Sequence, residues 1–137
     1  MKIAFGTDEE TSLTDALVTD LVEKGHDVER VGRGEAWPEV GRAVGEAVAA
    51  GRVERGVVCC WTGTGVSIAA NKVPGVRAAL CTDAATADGA RRWNDANVLA
   101  FGLRLSSPAV VREMVDAFLQ AGPDDAELPV ISRVEGR

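Results

Sequence analysis

Short apolar runs alternate with amphipathic stretches of helical period along the whole chain, and that alternation leaves few folds open. Residues 2–5, 27–31, 56–60, 76–81 and 98–101 read as strands. Helical stretches lie between them. In residues 12–24, Leu13, Ala16, Leu17 and Leu21 fall on one face, and Gly25 ends the helix. In residues 38–50, Val40, Ala43, Val44, Ala47 and Val48 do the same. Residues 66–73 form a short helix halted by Pro74-Gly75, and Asp83 caps another that runs to about Trp93. Ser107 and Pro108 open a helix over residues 109–120. The acidic segment 122–129 is expected as a loop, and residues 130–137 as a tail or short helix. Strands that alternate with helices in this way pack as a parallel sheet with helices on both faces. A length of 137 residues, with no repeat and no low-complexity tract, predicts one domain over residues 1–137.

The segment Val57-Val58-Cys59-Cys60-Trp61-Thr62-Gly63-Thr64-Gly65-Val66-Ser67-Ile68 carries the most chemistry. An apolar strand runs into a thiol, then a Gly-rich turn, then a helix. Ligands of open α/β sheets bind at the carboxyl ends of the strands, where such a turn lies. The helix dipole favours negative charge there, so Cys60 is offered as a base or nucleophile beside an anion cradle. The turn is neither a Walker A loop nor a dinucleotide fingerprint, since no Gly-Lys-Ser/Thr follows and the third glycine position is Ile68. By itself it reads equally as a tight turn. Adjacent strand residues point to opposite faces, so one of Cys59 and Cys60 must pack in the core. Cys60, at the strand end, is the reactive candidate; Cys81 is expected in the core.

Other polar positions are weaker signals. Asp8 and Glu9 follow the first strand, where they either cap the next helix or face the same edge as Cys60. Trp93-Asn94-Asp95-Ala96-Asn97 precedes the last strand and reads as helix termination and a turn. Arg104 follows that strand, and Arg133 lies in the tail. The formal net charge of −6 argues against nucleic acid or an anionic membrane as partner, yet leaves room for a small phosphorylated ligand. A single histidine, His26, leaves little scope for a His-rich metal site or a His-based triad. Three cysteines make a disulfide framework improbable. No apolar run reaches the roughly 18 residues of a membrane span, and no secretory signal pattern is present; the cytoplasm is the expected compartment.

Taken together, these segments resemble the type B ribose-5-phosphate isomerases and the related galactose-6-phosphate isomerase subunits. The resemblance runs nearly end to end. Its most specific part is Cys60-x-Thr62-Gly63-x-Gly65 followed by Ser67-Ile68-Ala69-Ala70-Asn71-Lys72-Val73-Pro74-Gly75-Val76-Arg77. Asn94-Asp95-Ala96-Asn97-Val98-Leu99 and Gly102-x-Arg104 agree with it. It implies a three-layer α/β/α Rossmann-like sandwich with a five-stranded parallel sheet. It also implies a homodimer or dimer of dimers with active sites shared between subunits. The implied reaction moves the carbonyl of a phosphorylated sugar between C1 and C2 through a cis-enediolate, with no metal or organic cofactor. By resemblance Cys60 is the base, Thr62 and Asn97 sit around the sugar, and the amides of Gly63, Thr64 and Gly65 hold the enediolate oxygens. Asp8 contacts the sugar, and Arg104 and Arg133 bind phosphate. Trp93-Asn94 and Glu9 occupy further substrate-binding positions.

Four positions depart from the family pattern. Trp93 stands where the family has a ring-opening histidine, and Glu9 where it has another histidine. Pro129 replaces the first of two tail arginines, and Trp61 replaces a small residue after the cysteine. With Trp37 beside Pro38, all three tryptophans fall at or next to motif positions. The departures fit an isomerase with an altered substrate, a shorter open-chain sugar phosphate among them. They also fit a subunit of a mixed isomerase or a non-catalytic sugar-phosphate-binding relative.

Overall fold

A computed structural model describes residues 1–136. Five parallel strands form one sheet in the order β2-β1-β3-β5-β4. In chain order the elements are β1 (Lys2–Thr7), α1 (Ser12–Glu23), β2 (Asp27–Arg33), α2 (Trp37–Ala49), β3 (Arg55–Cys60) and α3 (Thr64–Asn71). Then come β4 (Ala78–Leu80), α4 (Ala84–Asn94), β5 (Val98–Gly102) and α5 (Pro108–Gln120). The strand order reverses direction between β1 and β3. That pair leaves a crevice outside its carboxyl ends, since the connections on either side of it cross to opposite faces.

Two hydrophobic cores fill the faces of the sheet. One joins Ile3, Phe5, Val57, Cys59, Leu99 and Phe101 to α1, α4 and α5. The other joins Ala4, Val58, Cys60, Val98 and Ala100 to α2 and α3. Alternate residues of each central strand thus point to alternate cores, and both faces are covered, which is why these strands read as continuous apolar runs. The three-layer sandwich expected from the sequence is the observed fold.

The differences from the expected elements lie at their ends. β1 and β2 extend two residues further than their apolar runs, because Gly6↔Gly32 and Thr7↔Arg33 keep the parallel ladder going past a register shift. β4 is only three residues long. It ends the sheet, and at its start the Arg77 N–H donates to the Asn97 side-chain oxygen (2.8 Å) rather than to a strand neighbour. The acidic segment is not wholly loop: a 3-10 turn at Asp125–Glu127 leads into α6 (Leu128–Ile131) and a second 3-10 turn at Ser132–Glu135. Ile131 anchors these turns by burial.

Candidate active site

Cys60 is the last residue of β3 and is 5% exposed. Gly63 follows in the left-handed region (φ 78°) and caps α3, so the chain reverses at once from strand to helix. A side chain at Gly63 is also excluded sterically, since a Cβ would lie 2.6 Å from the Phe101 carbonyl carbon. The reversal brings the Gly63 N–H onto the Cys60 sulfur at 3.2 Å. The amides of Thr64 and Gly65 belong to the first turn of α3, where no intrahelical acceptor exists. The Thr62 and Thr64 hydroxyls share a hydrogen bond of 2.8 Å across the turn.

The neighbouring strand fixes this loop. The β3–β5 ladder continues past both strands: Leu103 N–H donates to the Cys60 carbonyl and Arg104 N–H to the Trp61 carbonyl, each at 2.9 Å. A Cβ on Gly102 would sit 2.7 Å from the Thr62 backbone. The loop after β3 and the start of the loop after β5 are therefore one layer, with Arg104 beside Trp61.

Asp8 closes the cleft from the β1 side. An open cavity of about 420 Å³ is lined by Asp8, Trp37, Cys60, Trp61, Thr62, Thr64, Gly65 and Ile68. Burial holds the Asp8 carboxyl above its ordinary value; the adjacent Glu9 charge adds to this and a backbone hydrogen bond opposes it. Glu9 itself is exposed and does not line the cleft. The turn that carries both acids is held from below. Thr7, fully buried, donates its hydroxyl to the Glu9 carbonyl (2.7 Å) and accepts from the Glu9 N–H (3.2 Å) and from the Cys59 thiol (3.3 Å).

The three thiols thus divide by environment. Burial pushes Cys59 up to about 12 and Cys81 up to about 11, so both remain protonated packing groups. Cys60 alone lines the cleft. Trp37 and Trp61, which the sequence puts beside motif positions, form two of its walls, together with Ile68, a motif residue to which the sequence assigns no site role. A Cβ on Gly65 would lie 2.8 Å from the Trp37 ring, so that ring rests directly on the turn.

The remaining candidate residues lie elsewhere in the same chain. Trp93 and Asn94 end α4, which covers the face of the sheet opposite to the one Cys60 joins. Trp93, 56% exposed, lies against Gly89 and lines a groove with Leu80, Cys81 and Asn94 beside the edge strand β4. Asn94 is exposed and its side chain makes no hydrogen bond among the described residues. Arg133 lies in the tail turn, next to the groove that Asn94, Arg77 and Val134 line. Asn97 precedes β5, at the amino end of the sheet, roughly 16 Å along the strand from the residue that pairs with Cys60. Both ends of its amide are used, accepting from Arg77 N–H (2.8 Å) and donating to the Gly75 carbonyl (3.0 Å). These two bonds shape the turn before β5.

A charged scaffold holds the Asn94 corner. Arg91, only 1% exposed, donates to Asp95 Oδ1 (2.8 Å), the Ala96 carbonyl (2.6 Å) and the Ala121 carbonyl (3.2 Å). Asp95 caps α4 with φ 48° and also binds Arg77 (3.1 Å), which reaches Glu135 in the tail (3.2 Å). Against this background three arginines stand out. Among the described residues, the guanidinium groups of Arg42, Arg104 and Arg133 make no hydrogen bond or ion pair. Among the described residues, no group of three His, Cys, Asp or Glu side chains is placed to hold a metal ion, and no helix is long and apolar enough to cross a membrane.

The sequence and fold have close counterparts. Residues 3–133 match the family model described as Ribose/Galactose Isomerase. The chain is 39% identical over 145 residues to ribose-5-phosphate isomerase B of Escherichia coli (strain K12), covering 99% of this chain and 97% of that protein. It is 35% identical over 127 residues to D-erythrulose-4-phosphate isomerase of Pectobacterium atrosepticum, covering 88% and 84%. The solved structure of Clostridium thermocellum ribose-5-phosphate isomerase B superposes with a TM-score of 0.93 at 37% identity, over 99% of this chain and 96% of that one. A five-stranded parallel sheet matched end to end at this identity leaves one assignment: the chain belongs to the ribose/galactose isomerase family and is an aldose–ketose isomerase.

Proposed function

We propose that this chain interconverts the aldose and ketose forms of a phosphorylated sugar, with Cys60 as the base. The sulfur removes the proton on C2 of the aldose; the C–H electron pair forms the C1=C2 double bond, and O1 takes up the negative charge as the carbonyl opens. Returning the proton to C1, while the proton on O2 moves to O1 and the C2=O double bond forms, makes the ketose. Thr62 is suited to move the oxygen-bound proton, and the amides of Thr64 and Gly65 to hold the enediolate oxygens. Donors aligned in advance stabilise charge that appears only as the reaction proceeds. Asp8 would bind sugar hydroxyls, and the unpaired guanidinium groups of Arg104 and Arg133 the phosphate.

The observation that carries this reading is the contrast among the thiols. Cys60 lines the open cleft and accepts a hydrogen bond from the Gly63 amide, while Cys59 and Cys81 are pushed up to about 12 and about 11 by burial. Solvent deuterium exchange at substrate C2 tests it. Exchange by wild type that is lost in Cys60→Ala is expected; exchange that persists in the variant sinks the assignment.

A second copy completes the site in this reading. Asn94, Trp93 and Arg133 flank an edge strand paired on one side only, beside half-exposed Leu80 and Trp93. That corner and the Cys60 cleft lie on opposite layers of one chain, so a two-fold pairing is the simplest way to join them.

A shorter, open-chain substrate is a second reading favoured by one feature. The only histidine, His26, hydrogen-bonds the amino terminus (3.1 Å) before β2, away from the cleft, and Trp93 holds the position where the family opens a ring. A four-carbon sugar 4-phosphate has its O4 esterified and cannot close to a furanose, so it needs no ring opening. The Pectobacterium relative carries the name of such an activity. Faster turnover of a four-carbon 4-phosphate than of ribose 5-phosphate is expected; the reverse order rejects this reading.

A further inference from the structure

We propose that Trp61 is a specificity-determining residue that favours short sugar phosphates over six-carbon ones. The inference rests on the sugar-phosphate reading above. The reacting carbons must lie at the Cys60 sulfur and the first turn of α3. The phosphate must reach an unpaired cation, and the main chain of Arg104, one of the two proposed phosphate ligands, is fastened to the cleft residue Trp61, its N–H donating to the Trp61 carbonyl at 2.9 Å. A sugar bound between thiol and cation therefore runs past Trp61.

Trp61 is fit to act as a wall there. Its indole is 55% exposed and lines the cleft directly after the buried thiol. Its backbone cannot withdraw. One side is held by the ladder bonds from Leu103 and Arg104, and the next residue, Thr62, is packed so closely that Gly102 has no room for a Cβ. Only the side-chain torsions can give way. Across the cleft, Trp37 is seated on Gly65 and cannot yield in that direction either. A short chain can lay its C–H face along the indole between the two fixed ends. Each extra CHOH unit must bulge against a ring whose anchor does not move. Apolar walls of this kind discriminate among substrates by sterics, on the order of ten- to a few hundred-fold.

Carbonyl-free polyol phosphates of four, five and six carbons separate this from catalysis. Their Kd values are measured by calorimetry with wild type, Trp61→Phe and Trp61→Gly, and deuterium exchange of the matching aldose phosphates is followed in parallel. Wild type should bind the four-carbon compound best. The six-carbon to four-carbon Kd ratio should fall about tenfold in Trp61→Gly and by an intermediate amount in Trp61→Phe. A ratio unchanged in both variants, or equal weakening at all three lengths, overturns the role of Trp61 while leaving the sugar-phosphate reading intact. Absence of both polyol binding and exchange in wild type overturns that reading, and the role of Trp61 with it.

Discussion

Around Cys60 a short thiol side chain sits against groups carried by backbone; around Asn94 the candidate groups are carried by long side chains on a scaffold of ion pairs. The Cys60 edge consists of strand ends, a left-handed glycine and free amides, locked by contacts at Phe101 and Thr62 that allow no extra carbon. The Asn94 corner consists of exposed groups held through Arg91, Asp95, Arg77 and Glu135. The first holds its amides in fixed directions, because backbone locked by a strand ladder and a helix turn has little freedom left. The second is replaceable, since the same scaffold can present a different side chain at Trp93 or in the tail. Under the proposed function, fixed chemistry and variable recognition are thus built from different materials within one chain.

The largest expected effect is at the first region. Cys60→Ala should lower kcat by about a thousandfold, as loss of a positioned base does, with little change in thermal midpoint. A variant within tenfold of wild type would break the division at its root. Mixing Cys60→Ala with Asn94→Ala comes next. If the two regions meet only across a two-fold pairing, random reassociation of two inactive chains should restore about a quarter of wild-type activity, because half the pairs are mixed and each mixed pair has one intact site. No recovery would place both regions in the same site of one chain, or neither in any. Gly63→Ala should cost about 2–4 kcal/mol in stability and most of the activity, since the new Cβ meets backbone 2.6 Å away in a conformation that disfavours it. Denaturant midpoints check it, and a stable, active variant would show the turn to be more pliant than its contacts imply.

Arginine removal should have smaller consequences. Arg104→Ala and Arg133→Ala are each expected to raise KM for a sugar phosphate about tenfold with little loss of kcat, the size of one charge-assisted contact. An effect of Arg133→Ala on kcat alone would move it from binding to chemistry. The smallest effect concerns the thiol that faces away. The folded state holds Cys59 protonated up to about 12, against an ordinary value of 9.0, so the unfolded chain releases that proton first as pH rises. The stabilisation is complete below pH 9.0 and is lost progressively toward pH 12. Cys59→Ala should flatten that part of an alkaline denaturation curve; an unchanged slope would assign the loss to other groups.

Much of the Cys60 region was legible because backbone requirements leave marks in sequence. Gly63 and Gly65 have to be glycine for steric reasons, and an apolar run of Val57 and Val58 has to be a buried strand. Adjacency alone showed that only one of Cys59 and Cys60 could face the cleft. The Asn94 region was less legible. The roles of Asp95 and Arg77 depend on long side chains meeting across elements, which spacing does not reveal. Asn97 matches a position around the sugar by resemblance alone, and no spacing reveals that its amide serves as partner to the Arg77 N–H and supports Gly75. Ile68 lines the cleft with no chemical signature, and the tail turns at Asp125–Glu127 and Ser132–Glu135 were hidden by an acidic, proline-containing composition.

The hydrogen bond from Gly63 to sulfur has a further consequence for the energy of proton transfer. In the proposed reaction the sulfur takes a proton from carbon, so negative charge leaves it and appears on a substrate oxygen close by. The Gly63 amide lies on the sulfur at 3.2 Å, and the amides of Thr64 and Gly65 follow it along the same helical turn. Charge therefore moves within the reach of one set of fixed dipoles instead of from one solvated site to another. Little solvent has to rearrange as it does so, and the polar environment for the product of each half-step is already in place before the step begins.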